Sequence, residues 1–191
     1  VGNGYLNAFN GVAGGSGTTV NWWQSNQGLS PPFPAWISFT LPEYKIITKY
    51  KIWAAIKPSN WNSDPKAHSP KTWELLGSTI SDINNFSYAD TSTYTVIDTQ
   101  SNQTSWASTT TNSVTNDTER NEYVVNNPGN YKHYILHVSA STSYNPPTIG
   151  ALTIGEIGYY SSNTADWSVV EANTGSTAVS YTKTVSYQGT I

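Results

Sequence analysis

The stretch Pro34-Ala35-Trp36-Ile37-Ser38-Phe39-Thr40-Leu41 alternates apolar and polar side chains from Ile37 onward. A period of two puts Ile37, Phe39 and Leu41 on one face of a strand and Trp36 in the opposite phase. The next apolar stretch, Ile46-Ile47-Thr48-Lys49-Tyr50-Lys51-Ile52-Trp53, mixes β-branched and aromatic residues and reads as a second strand. Residues 72–76, 94–97, 122–125 and 134–138 read the same way. In residues 152–157 the alternation sets Leu152, Ile154 and Glu156 on one face. Trp36, Trp53 and Trp73 fall in strands and are expected in the core.

Between these strands lie Gly-, Pro- and Asn-rich connections: a glycine-rich loop over 11–19, a proline-punctuated turn over 30–34, and a long loop over 57–70 that holds Trp61 and His68. No long stretch shows helical periodicity. Many short strands with turn signals between them predict an all-β fold, a β-sandwich or jelly roll. Residues 101–118 are polar and low in complexity, which predicts an irregular edge. After Tyr160 the texture changes. Residues 161–166 read as a linker, and 179–187 alternate strictly, with Val179, Tyr181, Lys183, Val185 and Tyr187 on one face. That strand is either an edge strand of its own fold or an arm that pairs with a neighbouring chain, because an unpaired apolar edge is a liability. The expected organisation is a sandwich over 1–160 and a linker with a strand-forming extension over 161–191.

Composition narrows the function. The chain has 191 residues with 8 Trp, 13 Tyr and no Cys, so disulfides and cysteine-held zinc are excluded. Charged residues are 11%, against ~25% in typical soluble domains, and Asn, Ser and Thr make up roughly a third of the chain. A net charge of −3 argues against nucleic-acid binding. No apolar run approaches membrane-span length, and no signal-peptide pattern opens the chain. The start at Val1 and the absence of Met read as a processed or excised piece. A weakly charged surface rich in hydroxyls, amides, Trp and Tyr suits an extracellular β protein. It also suits sugar binding, where hydrogen bonds and ring stacking do the work. The plainer reading of the same composition is a stable structural module.

Several motifs, in order along residues 5–160, resemble the discoidin-like domain (coagulation factor 5/8 C-type, galactose-binding-like), the fold shared with a large group of bacterial carbohydrate-binding modules. Ala8-Phe9-Asn10-Gly11 is similar to its "AFDG" element, and Trp22-Trp23 stands where a Trp pair is frequent. Pro34-Ala35-Trp36-Ile37-Ser38-Phe39 resembles "P-x-W-I-x-[IF]", and residues 45–52 resemble "I-x-x-Y-x-I". Pro70-Lys71-Thr72-Trp73-Glu74-Leu75-Leu76-Gly77-Ser78 resembles "P-K-x-W-x-[LF]-x-G-S". Residues 94–99 correspond to "W-x-x-L-D-T", with Tyr94 in place of Trp. Tyr131-Lys132-His133-Tyr134-Ile135-Leu136 resembles "Y-K-Y-Y-R-L", and 154–160 the closing "I-x-E-[LI]-x-x-Y". The flavour of 70–78 and 96–106 is similar to versions in phage tail and bacterial surface proteins. The chain departs from the family in starting after its first strand, in an insertion near 81–93, in Asn10 for Asp, and in Ile135 for a basic residue.

The resemblance implies a structural Ca2+ between the AFDG-like loop and the closing strand, held by Asn10 and Glu156 with further oxygen from Thr18 or Thr19. The residues agree on one point: Glu156 lies on an apolar face, and an inward carboxylate needs a partner, whether a cation, a Lys or backbone amides. The resemblance also implies a ligand site on loops at one end of the sandwich, over residues 11–26, 57–70 and 140–148. These carry Trp22, Trp23, Trp61, Asn62, Lys66, His68, Tyr144 and Asn145. Trp or Tyr would stack on the C–H face of a pyranose, and Asn, His and Lys would bind its hydroxyls. Each has a plainer alternative: core or loop packing for Trp22 and Trp23, a solvated loop histidine for His68. His133 and His137, spaced by four in a strand and on the face of Tyr131 and Ile135, read as structural. Lys45, Lys49, Lys51, Lys57, Lys66 and Lys71 form a basic stretch that either meets an anionic surface or decorates strands and loops.

No acid pair falls in a recognisable glycosidase context, and G-x-S-x-G, H-E-x-x-H and P-loop motifs are missing. The expectation is therefore a non-enzyme: a carbohydrate (surface glycan) recognition module of an extracellular or virion assembly such as a phage tail fibre or adhesin. The alternative is a structural module whose extension binds neighbouring chains, as in a homo-oligomer paired through 179–187. Asn85, Asn102 and Asn116 open glycosylation sequons that matter only on a eukaryotic secretory route.

Overall fold

A computed structural model describes residues 23–24, 34–55, 65–107, 120–142 and 152–161. Eight strands are present among them: β1 (Trp23–Gln24), β2 (Ala35–Trp53), β3 (Pro70–Ser78), β4 (Thr95–Gln100), β5 (Asn121–Val124), β6 (Asn130–Ser141), β7 (Thr153–Ile154) and β8 (Glu156–Ser161). All pairings are antiparallel. The described helical turns are two short 3-10 segments, Pro65–His68 and Ile83–Asn85.

The two strands expected over 36–41 and 46–53 are one 19-residue strand, β2, that serves two layers. Its first half, from Ala35 to Thr40, pairs with β6. Its second half lies between β5 and β8. The register on β6 shifts between Thr40 and Lys45, around Pro42, which has no amide to give to a ladder. Tyr134 secures this bend: its hydroxyl donates to the Lys45 carbonyl at 2.5 Å and accepts from the Ile47 amide at 3.3 Å. One layer then runs β4-β3-β6 and the first half of β2. The other runs β5, the second half of β2, and β8.

The alternation read from the sequence sets the core. Ile37, Phe39 and Leu41 are buried, with Tyr50, Ile52, Leu75, Ile97, Tyr134, Leu136, Val138 and Ile157. Each such aliphatic side chain contributes about 1.5–3 kcal/mol through burial. Aromatic rings bind the layers together. Phe39 stacks on Tyr159 at 4.1 Å, Tyr50 on Tyr123 at 5.2 Å, and Trp73 meets Tyr123 edge-on at 5.1 Å.

Trp53 and Trp73 are fully buried, as expected. Trp36 is a correction: it is 42% exposed, because its phase, opposite to Ile37, turns it to the outer face. The segment expected as one strand over 152–157 is also divided. The Gly155 amide donates to the Trp53 carbonyl, so β7 pairs with β1 and β8 with β2. Leu152, Ile154 and Glu156 are all fully buried. Of the irregular edge expected over 101–118, residues 101–107 carry no regular element, and 108–118 lie outside the described residues. The extension over 162–191, with its 179–187 strand, lies outside the described residues.

The Gly-Ser of the 70–78 motif has a physical reason. A Cβ on Gly77 would sit 2.2 Å from the Tyr131 ring, and one on Gly129 would sit 2.5 Å from it. Only glycine lets that ring lie flat. Ser78 then donates to the Thr93 carbonyl at 2.5 Å and accepts from the Ile80 amide at 3.3 Å. It thereby anchors both ends of the segment over 79–94 that joins β3 to β4 and holds the insertion expected near 81–93.

Candidate functional site

The described residues at the bases of the three loops expected to carry the ligand lie at one end of the sandwich. Pro70, where the long loop enters β3, pairs with Ser141 at the end of β6. The Thr142 amide donates to the Ser69 carbonyl at 2.9 Å, and the Thr142 hydroxyl donates to the Ala67 carbonyl. These bonds tie the base of the 57–70 loop to the start of the 140–148 loop. The Pro65–His68 turn touches β7, and β7 pairs with β1 through Trp23↔Ile154 and Gln24↔Thr153. The base of the third loop, 11–26, is thus at the same end. Glu156 begins β8 there, opposite Trp53.

Of the expected ligand residues, Lys66 and His68 are described, both half-buried on the 3-10 turn. The Lys66 carbonyl accepts from the Ser69 amide at 3.1 Å, which closes the turn. Trp23 is a correction to the ligand set: it is 9% exposed and belongs to the main core. Its pairing with Ile154 holds it inward. Trp22, Trp61, Asn62, Tyr144 and Asn145 lie outside the described residues. So do Asn10, Thr18 and Thr19 of the expected metal set. Glu156 is described and is wholly buried. Among the described residues no group of three or more His, Cys, Asp or Glu side chains gathers to hold a metal. No described helix is long and apolar enough to cross a membrane.

The basic stretch does not form a cationic cleft among the described residues. Lys45 pairs with Glu43 at 2.6 Å, and Lys49, Lys51 and Arg120 gather on Glu122 at 3.4, 3.8 and 3.6 Å. Lys49 and Lys51 also lie over the Tyr160 ring. Lys49 and Glu122 are part-exposed, and such a pair is of small energetic effect, whereas Lys51 is buried.

His133 and His137 are buried, as expected of structural histidines, and burial lowers both below the usual histidine range. His133 shares a 2.8 Å hydrogen bond with Thr40. His137 lies under Tyr88, ring on ring at 3.6 Å. Tyr131 departs from their face. Its ring reaches the main core, edge-on to Tyr134, where the β2–β6 register has shifted.

Sequence reasoning missed the outer face of the first layer. There the inserted segment forms a second small core, with Ile83 on Leu76 and Ile135 and with Ile80, Phe86 and Tyr94 against them. Next to it stands a row of cross-strand neighbours: Trp36, His137, Glu74 and Thr99. The Tyr88 hydroxyl donates to Glu74 Oε2 at 2.7 Å, and that bond, with partial burial, pushes it up to about 12. The signals for this face were the phase of Trp36 and the shared strand face of His133, Ile135 and His137.

No protein-family model and no curated protein matches the sequence. Solved structures do match its fold. Chitosan-binding module 2 of a chitosanase/glucanase from Paenibacillus sp. IK-5, determined in complex with chitotriose, is 16% identical over 84% of this chain and 88% of its own, with a TM-score of 0.51. An F5/8 type C domain from Bacteroides fragilis is 12% identical over 84% and 82%, with a TM-score of 0.51. CBM32-3 from a family 31 glycoside hydrolase of Clostridium perfringens is 13% identical over 83% of each chain, with a TM-score of 0.50. At these identities the likeness is one of fold, and on that ground, with its antiparallel two-layer topology, the chain has the discoidin-like β-sandwich fold.

Proposed function

We propose that this chain is a non-catalytic carbohydrate-binding module that recognises a surface glycan through the loops at one end of its sandwich. The observation that carries the reading is the convergence of the three loop bases, fixed by Thr142 on Ser69 and Ala67 and by β1 on β7. These loops hold Trp61, Asn62, Tyr144 and Asn145 in sequence beside Lys66 and His68. Solved carbohydrate-binding modules with the same fold support it. A shallow site of this kind binds at ~1 mM to ~1 μM, about −4 to −8 kcal/mol. Repetition of the module in an extracellular or virion-surface fibre would raise the avidity.

The architecture suits such a fibre. β8 ends at Ser161, opposite Ile47, at the far end from the loops. An extension that leaves there and pairs with neighbouring chains through 179–187 keeps the glycan face open. In this reading a structural Ca2+ rests on the buried Glu156, with Asn10, Thr18 and Thr19 completing its oxygens. It pins the glycine-rich loop and takes no part in chemistry. Chelation then lowers the melting temperature, by the equivalent of about 2.7 kcal/mol at a hundredfold excess of Ca2+ over Kd. An unchanged melt, with no metal by elemental analysis, removes the ion.

A glycan array with the multimerised chain and a Trp61→Ala variant tests the function. Selective binding by the chain, lost in the variant, is the expected outcome. Absence of binding across a broad array turns the reading toward the assembly module.

A further inference from the structure

We propose a second carbohydrate subsite on the outer face of the β4-β3-β6-β2 layer, built for a sugar that carries a free ammonium group. Two large rings are exposed there, Trp36 at 42% and Tyr88 at 39%. They come from different elements and are held rigidly. Trp36 is the direct cross-strand neighbour of His137 and meets Phe86 edge-on at 5.7 Å. Tyr88 is clamped between Tyr94 at 5.5 Å and His137 at 3.6 Å, both near parallel. Exposed aromatic rings fixed by so many contacts are a platform, since holding them costs ordering that a free surface has no need of.

The chemistry beside the rings selects the ligand. Glu74 is next in the cross-strand row, and its side chain is 29% exposed. Oε2 accepts from Tyr88 at 2.7 Å and lies 4.0 Å from His137 Nδ1. Oε1 is left to accept from a ligand. Because His137 is held toward its neutral form by burial, it does not neutralise Glu74 at pH 7. The inserted segment over 79–94 adds Asp82 and Asp90 and contains neither Lys nor Arg. Thr99 supplies a hydroxyl in the same cross-strand row. A carboxylate beside the exposed Trp36 ring and the Tyr88 edge favours a cation with an apolar ring, and an amino sugar unites the two. This subsite shares β3 and β6 with the loop end but none of its residues.

The test uses the β-1,4-linked glucosamine trisaccharide and its fully N-acetylated counterpart, which has the same ring without the charge. Binding is read by calorimetry and by amide shifts on the whole chain, with Trp36→Ala, Glu74→Gln and Trp61→Ala. Gln at 74 keeps an acceptor for Tyr88, and thermal melts show whether each variant is folded. The expected result is tenfold or greater weakening of the glucosamine trisaccharide by Trp36→Ala and by Glu74→Gln, no change with Trp61→Ala, and weakening by salt. The N-acetylated trisaccharide is indifferent to Glu74→Gln. Folded Trp36→Ala and Glu74→Gln proteins that bind the glucosamine trisaccharide as the parent does would overturn the proposal. So would binding lost in Trp61→Ala alone, which assigns the sugar to the loop end, and so would no binding by the parent chain. The function proposed for the loops fails separately, through Trp61→Ala on the array.

Discussion

Asp98 is 2% exposed, yet its carboxylate accepts hydrogen bonds from three side chains. Its Oδ2 accepts from Tyr50 at 2.7 Å and Gln100 at 3.0 Å, and its Oδ1 accepts from Asn126 at 2.6 Å. Tyr50 in turn accepts from the Trp73 indole at 2.9 Å. Burial, then the bond to Asp98, raises the Tyr50 hydroxyl far above the ordinary tyrosine range. Asp98 of the "L-D-T"-like motif thus marks the polar centre of an apolar core. Asp98→Ala strands the Tyr50 and Asn126 donors, and we expect a loss of about 3 kcal/mol, the scale of hydrogen bonds to a buried charge. Urea denaturation measures it; a loss under about 1 kcal/mol would show that these donors find other partners. The sequence marked Asp98 through its motif, but nothing in the residue order told that its distant partners would come from β2 and the turn after β5.

At the scale of elements, the insertion over 79–94 is where pattern reading failed most. Its Ile80, Ile83 and Phe86 are scattered among polar residues, so no periodicity announced that they cover Leu76 and Ile135. The strands themselves were legible because alternation and burial coincide in a sheet packed on one face. Trp36 shows the limit: its phase was readable, but the covering of its sheet face was not. The insertion also makes stability depend on pH. His133 and His137 face it from β6, with Asp82 and Lys132 near His133 and Glu74 near His137. Both are lowered from 6.5 chiefly by burial, so the unfolded chain binds more protons than the native one once pH falls below that value. Stability is therefore full above pH ~6.5 and declines as pH drops toward the native values. We expect the melting temperature to fall between about pH 6.5 and about pH 5, above the carboxylate range. His137→Gln reduces that slope. A flat profile over this window would contradict the buried, neutral state of both rings.

For the whole molecule, the topology separates two ends. Loop bases gather where β3 begins and β6 finishes, and the chain leaves β8 at the other end. The sequence named the loops through their resemblance to a known family, and the Thr142 contacts bear out the meeting of two of them. It also assigned Trp23 to the ligand, where the β1–β7 pairing takes it into the core. A Trp pair in a row gives no phase from which to separate the two. The central claim, that a glycan is held at the loop end, is tested most directly by amide shift mapping on the isotope-labelled chain with a neutral glycan selected on the array. The account predicts shifts at Lys66, His68, Ser69 and Thr142 together with the Trp61 indole. Shifts confined to the far end, around Gly77, Gly129 and Asn130, with the Trp61 indole unmoved, would contradict it.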